Sequence, residues 1–460
     1  MVTAGATVEV LTAADAEVRQ RRAAGALLAA GLGSGDRVAF CLPSSAALLC
    51  AVLGALRVGI VPVLLNATLL GAERDALVED AEPGLVVTDA DALARLDSGH
   101  EAPLAPVPLA RPMHYTSGTT GRAKGVWSGV WDRSTAGAAL ADEVDQWGFG
   151  PDDVHLVCSP MYHSVSVRFA GGTLLSGGTC LVLDRFDPAA AADALEGGAG
   201  PVPTTTFLAP SALTRLLAVA DNGPDRFARL RLLVHAGSSC PPALKRAAME
   251  VVPSGALWEF YGSTEGQFTA CSPEEWQDRP GTVGRARRGR TLAVDPDGTV
   301  WCRPPVFSRF AYWRDDAKTA AAWRDGWFTV GDLGRLDEDG YLYLDGRRDD
   351  LVISGGVNVY PAEVESALAD VPGVEEVAVF GVPDDRWGQR VCAAVVTDGR
   401  DGDEAVVAAL AAHATASLAG YKRPKQYSVV AALPRTATGK VRRLALPGLL
   451  GLEGPAAAVD

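Results

Sequence analysis

Short runs rich in Val, Leu and Ile alternate with longer alanine-rich stretches through the first 290 or so residues, as in "RVAFCL" from Arg37, "GLVVTD" (84–89), "TCLVLD" (179–184) and "LRLLVHAG" (230–237). Runs this short and this uniformly apolar predict strands buried on both faces, and the stretches between them predict the helices that cover parallel sheets. From about residue 290 the pattern shortens: "LAVDPDGTVWCR" and "GYLYLDGR" read as strands around Pro-Asp-Gly and Asp-Gly turns. Near the end, "AEVESALADVPGVEEVAVFGVPDD" reads as helix, turn and strand, so a small α+β domain is expected after about residue 350. Residues 45–72 resemble a membrane span, with Arg57 as the only charge. Arg57, Gly59 and Pro62 interrupt that run, and a helix followed by a buried strand accounts for it better.

Composition narrows the function. At 460 residues the chain exceeds what one core holds, so two or more domains are expected. A net charge of −14 argues against nucleic acid as a partner, because phosphate backbones attract basic surfaces. Any anionic ligand must then be held by a local arrangement. The eight cysteines form no CxxC pair and no regular framework, so neither a disulfide scaffold nor a zinc site is indicated, and reduced thiols in the cytoplasm are expected. The first thirty residues carry charges throughout and lack the apolar core of a signal peptide.

Candidate chemistry begins at "YTSGTTGRAKG" (115–125), a loop between two apolar segments. Glycines let a backbone curl so that successive N–H groups face one anion, and hydroxyls add donors. Thr116, Ser117, Gly118, Thr119 and Thr120 would cradle phosphate, with Lys124 supplying charge. Lys124 follows Ala123 and precedes Gly125, so the GxxxxGK[ST] phosphate loop is excluded. Alone, the stretch could equally be a flexible surface loop. It is followed in order by "HAGSS" (235–239), "WEFYGSTEG" (258–266), "VGDLG" (330–334), "DGRRDDLVISGGVNVYPAEVE" (345–365) and "PRTATGKVRR" (434–443).

Together these motifs closely resemble the adenylate-forming superfamily, which includes acyl-CoA synthetases, peptide-synthetase adenylation domains and firefly luciferase. The resemblance covers nearly the whole chain. It implies an α/β fold: a large N-terminal domain of helix-covered parallel sheets with a small β-barrel-like part (residues 1–348), then a small mobile α+β domain (349–460). It also implies ATP, magnesium and CoA. By position, Glu265 would bind magnesium beside Thr264, Tyr261 would stack on adenine before Gly262, and Gly237, Ser238 and Ser239 would line the adenine pocket. Asp332 and Arg347 would contact the ribose hydroxyls, although Val330 replaces the family's usual threonine. Lys440 would stabilise charge on the α-phosphate, Asp349 would be the hinge of the small domain, and Gly356 would line the pantetheine tunnel. Without the resemblance, Glu265 and Lys440 would be ordinary surface charges and Tyr261 a core residue.

The acid is addressed by "SPMYHSVSVRF" (159–169), which lacks the aspartate that amino-acid-activating relatives aim at the substrate amine, so an α-amino acid is not expected. His163 matches a position that gates the acyl pocket, or is a satisfied core histidine; Ser263 is assigned to the same pocket. Only twenty residues follow Lys440, too few for a carrier domain, so a separate acceptor, CoA or a discrete carrier protein, is expected. Ile353 and Asn358 depart from plant-type aryl CoA ligases, which bears on the acceptor side. The expected activity is ATP-dependent conversion of a carboxylic acid to an acyl-CoA, with an acyl-adenylate between and pyrophosphate released. The alternatives are another acceptor (a carrier-protein thiol, an amine) or a catalytically inactive nucleotide-binding sensor.

Overall fold

The apolar runs of the first part become the strands of two sheets in a computed structural model, which describes residues 6–69, 71–116, 124–219, 224–347, 350–354, 357–384, 387–400, 402–435 and 441–452. The chain divides into two compact units, one of residues 1–292 and 302–328, the other of 293–301 and 329–460. The boundary expected between 348 and 349 falls on residues outside those described.

In the first unit, strands Val154–Val157, Thr179–Leu183, Thr205–Leu208, Leu232–His235 and Leu257–Gly262 run parallel at the centre of an eight-stranded sheet. Antiparallel strands close both of its edges: Val8–Thr12 on one side, Gln267–Cys271 and Arg285–Ala286 on the other. The second sheet has Leu85–Val87, Arg37–Phe40, Val61–Leu64 and Met113–Thr116 in parallel, extended by antiparallel Lys124–Trp127 and Ala311–Tyr312. One continuous core includes Phe40 and Val63 from this sheet, Leu11 and Val182 from the larger one, and Leu53 and Leu174 from helices.

The stretch that resembled a span is a helix, Ala46–Arg57, then the buried strand Val61–Leu64, as the sequence led us to expect. No helix among the described residues is long and apolar enough to cross a membrane. Arg57 is buried at the helix end, donating to the Ala105 carbonyl at 2.7 Å and Gln20 Oε1 at 2.9 Å and pairing with Glu17. A buried cation is tolerated there because its donors are met. Gly54 lets helix Ala13–Ala29 approach: a Cβ there would lie 2.4 Å from the Gln20 carbonyl oxygen.

The second unit holds a five-stranded sheet in which Val374–Asp384 and Gly388–Thr397 form a long antiparallel pair, joined by Val352–Ser354, Val357–Val359 and Gln426–Val429. Helices Pro361–Leu368 and Asp403–Ser417 bury Val364, Leu368, Val406 and Leu410 with Val379, Val391 and Val395 of the sheet. This is the α+β pattern expected after residue 350. All eight cysteines are unpaired thiols, seven of them buried.

Three histidines of the first unit, His114, His155 and His235, are buried, and burial lowers each to about 4. They fold neutral, whereas the unfolded chain protonates them near 6.5. Stability is therefore full above about pH 6.5 and falls progressively toward pH 4, by up to ~3 kcal/mol per histidine. The urea midpoint should drop between pH 7 and 4.5, and His155→Leu, which removes one of the three, should flatten that slope.

Candidate active site

Parallel strands expose loops at their carboxyl ends, and this is where the expected residues of the first unit collect. Strands Leu232–His235 and Leu257–Gly262 are neighbours, with His235 opposite Glu259. Two residues further along each lie Gly237 and Tyr261. Gly237 has φ +97°, a conformation that favours glycine, and nothing stands within 4 Å of where its Cβ would be. Gly237, Ser238 and Ser239 are exposed, so backbone and hydroxyls are open to a ligand. Tyr261 is buried with its ring 4.7 Å from that of Phe268.

Beneath these loops, Lys245 of helix Pro242–Val251 is 1% exposed and pairs with Glu259. His235 lies 3.9 Å from the same carboxylate but, lowered to about 4 mainly by burial, is neutral there. Lys245 is thus the cation that balances Glu259. Its ammonium also lies 4.9 Å from the Trp276 ring centre. Nothing local in the sequence marked this pair, because its members meet only when the helix docks on the strand.

The turn 262–266 is compact. The Ser263 N–H donates to the Gly266 carbonyl at 2.8 Å, and a Cβ on Gly266 would lie 2.6 Å from the Phe328 ring. Ser263 Oγ is buried and has no hydrogen-bond partner among the described residues, while Thr264 is half-buried. Glu265 is 7% exposed, and its Oε1 accepts from the Tyr312 hydroxyl at 3.0 Å. The Lys124 ammonium lies 5.2 Å from the centre of the same tyrosine ring. Tyr312 was not among the residues singled out from sequence; "AYW" carries no signal of its own.

Strands Met113–Thr116 and Lys124–Trp127 pair with Thr116 opposite Lys124, so residues 117–123 connect the two strands of a hairpin. Ser117, Gly118, Thr119 and Thr120 lie outside the described residues, as does the side chain of Thr116. Tyr115 anchors the hairpin by donating to Asp80 Oδ2 at 2.6 Å.

His163 caps helix Ser164–Leu175, half-buried, its ring 4.7 Å from Tyr162. Behind it, His114 Nδ1 is 2.9 Å from the Tyr162 carbonyl oxygen. Further along the helix Arg168 donates to Glu143 Oε2 at 3.1 Å, and Gln267 Nε2 donates to Oε1 at 2.9 Å. Burial alone would raise Glu143, but Arg168, Arg287, Gln267 and Arg290 bring it down to about 2. Asp142 accepts both terminal nitrogens of Arg290 at 2.9 Å. The sequence reading missed this ionic cluster. Its members are scattered from 142 to 290; Gln267, Arg287 and Arg290 are buried, and Asp142, Glu143 and Arg168 half-buried.

In the second unit, Asp332 is buried and lies opposite Arg347 across the hairpin formed by Asp332–Leu336 and Leu342–Arg347. The two residues assigned to ribose are thus brought together in register. Ser354 pairs with Val357, flanking Gly356, which lies outside the described residues with Asp349 and Lys440. Arg435 and Val441 form an antiparallel bridge. Arg443 donates to Asp350 Oδ2 at 2.9 Å and to Glu365 Oε1 and Oε2 at 3.0 and 2.7 Å, joining this part of the chain to the residues after 349.

Among the described residues no three His, Cys, Asp or Glu side chains gather to hold a metal. A lone buried carboxylate suits magnesium, which takes one or two carboxylates and completes its shell with phosphate and water.

A family model of the AMP-binding enzymes matches residues 3–112 and 112–303, and a model of their C-terminal domain matches 363–440. The indoleacetate–CoA ligase of Aromatoleum aromaticum is 32% identical over 92% of this chain and 90% of its own. ATP-bound MatB from Rhodopseudomonas palustris superposes with a TM-score of 0.84 at 32% identity, covering 95% of this chain and 93% of that one. The O-succinylbenzoate coenzyme A synthetase of Bacillus subtilis, solved with ATP and magnesium, gives 0.81 at 26% identity over 94% of each chain. Matched in both its larger and its smaller part, the chain belongs to the AMP-binding enzyme family.

Proposed function

We propose that this protein is an AMP-forming carboxylate–CoA ligase. The acid's carboxylate oxygen attacks the α-phosphorus of ATP and pyrophosphate leaves; the CoA thiol then attacks the acyl carbon and AMP leaves. The observation that carries the reading is the buried Glu265, held by the Tyr312 hydroxyl, whose ring also meets Lys124. When bound, magnesium would neutralise phosphate charge there. Residues 116–120 and Lys124 would hold the phosphates, with Thr264 beside Glu265. Gly237, Ser238, Ser239, Tyr261 and Gly262 would hold adenine, and Asp332 with Arg347 the ribose. Lys440 would act on the α-phosphate, Asp349 would let residues 349–460 turn between the two steps, and Gly356 would admit pantetheine.

For the acid we propose an alkyl or aryl carboxylate that lacks an α-ammonium, bounded by His163 and Ser263. No carboxylate occurs in 159–169, and the nearby Glu143 is already balanced by Arg168 and Arg287. An ammonium buried there would lack a partner. The indoleacetate ligase, named for an aryl acid, supports the same class.

Three outcomes test this reading. Glu265→Gln should keep the fold and lose ATP–pyrophosphate exchange by about a hundredfold or more, since an amide is a poor magnesium ligand; undiminished exchange would remove Glu265 from the site. Aryl and alkyl acids should drive pyrophosphate release while free amino acids do not. Robust release with an unmodified amino acid overturns the pocket assignment. Finally, Lys440→Ala should abolish adenylate formation but spare thioester formation from supplied acyl-adenylate, and Asp349→Pro, which restricts φ at the hinge, should do the reverse. Equal loss of both steps in both variants would contradict a two-pose cycle.

A further inference from the structure

Tyr312 belongs to no expected motif, yet it touches both charged residues assigned to phosphate and metal. Its strand is only two residues long, Ala311–Tyr312, and pairs antiparallel with Lys124–Trp127, placing Tyr312 opposite Val126. Lys124 and Val126 project to the same face of their strand, so Tyr312 is the diagonal neighbour of Lys124. The side chain is 7% exposed, with Phe310 at 5.4 Å edge-to-face, and the backbone N–H donates to Thr319 Oγ1 at 2.9 Å. With ring and backbone both held, the hydroxyl has a fixed direction.

We infer that Tyr312 is a positioning residue that orients the metal ligand Glu265. Its hydroxyl holds Glu265 Oε1 at 3.0 Å, which orients the carboxylate and leaves Oε2 to meet a cation. Its ring takes the Lys124 ammonium at 5.2 Å. The kind of partner matters chemically: a cation paired directly with Glu265 would compete with the metal for the carboxylate. A phenol donates to the carboxylate without bringing a positive charge that competes with the metal. This inference rests on the reading of Glu265 as the magnesium ligand.

The test is equilibrium binding of ATP, measured by calorimetry with Mg²⁺ and again with a chelator in its place, for the full chain and for Tyr312→Phe, Glu265→Gln and the double variant. Tyr312→Phe keeps the ring and so keeps the Lys124 contact. It should leave ATP affinity in chelator unchanged and shrink the gain that Mg²⁺ gives by roughly ten- to a hundredfold, the range for a hydrogen bond to a charged group. The Mg²⁺ concentration for half-maximal pyrophosphate exchange should rise, with the maximal rate recovered at high Mg²⁺. Adding Tyr312→Phe to Glu265→Gln should cost no further Mg²⁺ gain, because the carboxylate that the hydroxyl orients for the metal is already gone.

Equal loss with and without Mg²⁺, full additivity with Glu265→Gln, or a Phe variant that no longer folds would assign the phenol to packing and overturn the inference. If Glu265→Gln lowers the Mg²⁺ gain but Tyr312→Phe does not, the positioning role falls and the metal ligand stands. If Glu265→Gln itself leaves the gain intact, the metal assignment falls and this inference with it.

Discussion

The pairing of Lys245 with Glu259 is the interaction on which the first unit's site depends. A carboxylate cannot be buried at the end of a parallel strand without compensation, and removing one partner of such a pair costs on the order of 3–5 kcal/mol. Lys245 meets this requirement from helix Pro242–Val251, so helix and strand are fixed to each other at this point. Strand Leu232–His235 is then held in register against Leu257–Gly262. Gly237 and Tyr261 are placed by that register, and the turn that carries Glu265 begins where the second strand ends. The buried pair is better understood as a device for alignment than as a source of net stability.

A second arrangement of charge lies on the other side of the same turn. Gln267, one residue beyond Gly266, donates to Glu143, which also accepts from Arg168 of the helix capped by His163. Thus the helix assigned to the acid and the turn assigned to the metal share one carboxylate. Its balance by several arginines keeps the carboxylate ionised and makes the two elements a single framework.

Much of this was legible in the sequence. The helix and strand at 46–64 followed from apolar runs broken by Arg57, Gly59 and Pro62, whereas the pairing of Asp332 opposite Arg347 across one hairpin is seen only in the structure. Motifs were legible because each is a local device: a turn, a loop, a strand end. What escaped was contact between distant side chains. Tyr312 lies 47 residues from the Glu265 it contacts, and an alternating apolar pattern assigns it to the core, where most of its ring does lie. Glu143 and Arg168 did not stand out because neither helix is strongly amphipathic in its sequence. Periodicity reports which face is buried and is silent on which polar atoms are buried with it.

The state of the cysteines bears on a protein whose acceptor is itself a thiol. All eight side chains are shifted toward the protonated form, burial being the leading cause; Cys50, Cys158, Cys240, Cys271 and Cys302 reach about 12. Nucleophilicity toward an activated acyl group or a disulfide belongs to the thiolate, and at neutral pH these groups supply almost none. Seven of the chain's own thiols are also buried, so burial disfavours both their ionisation and their access to an activated acyl group.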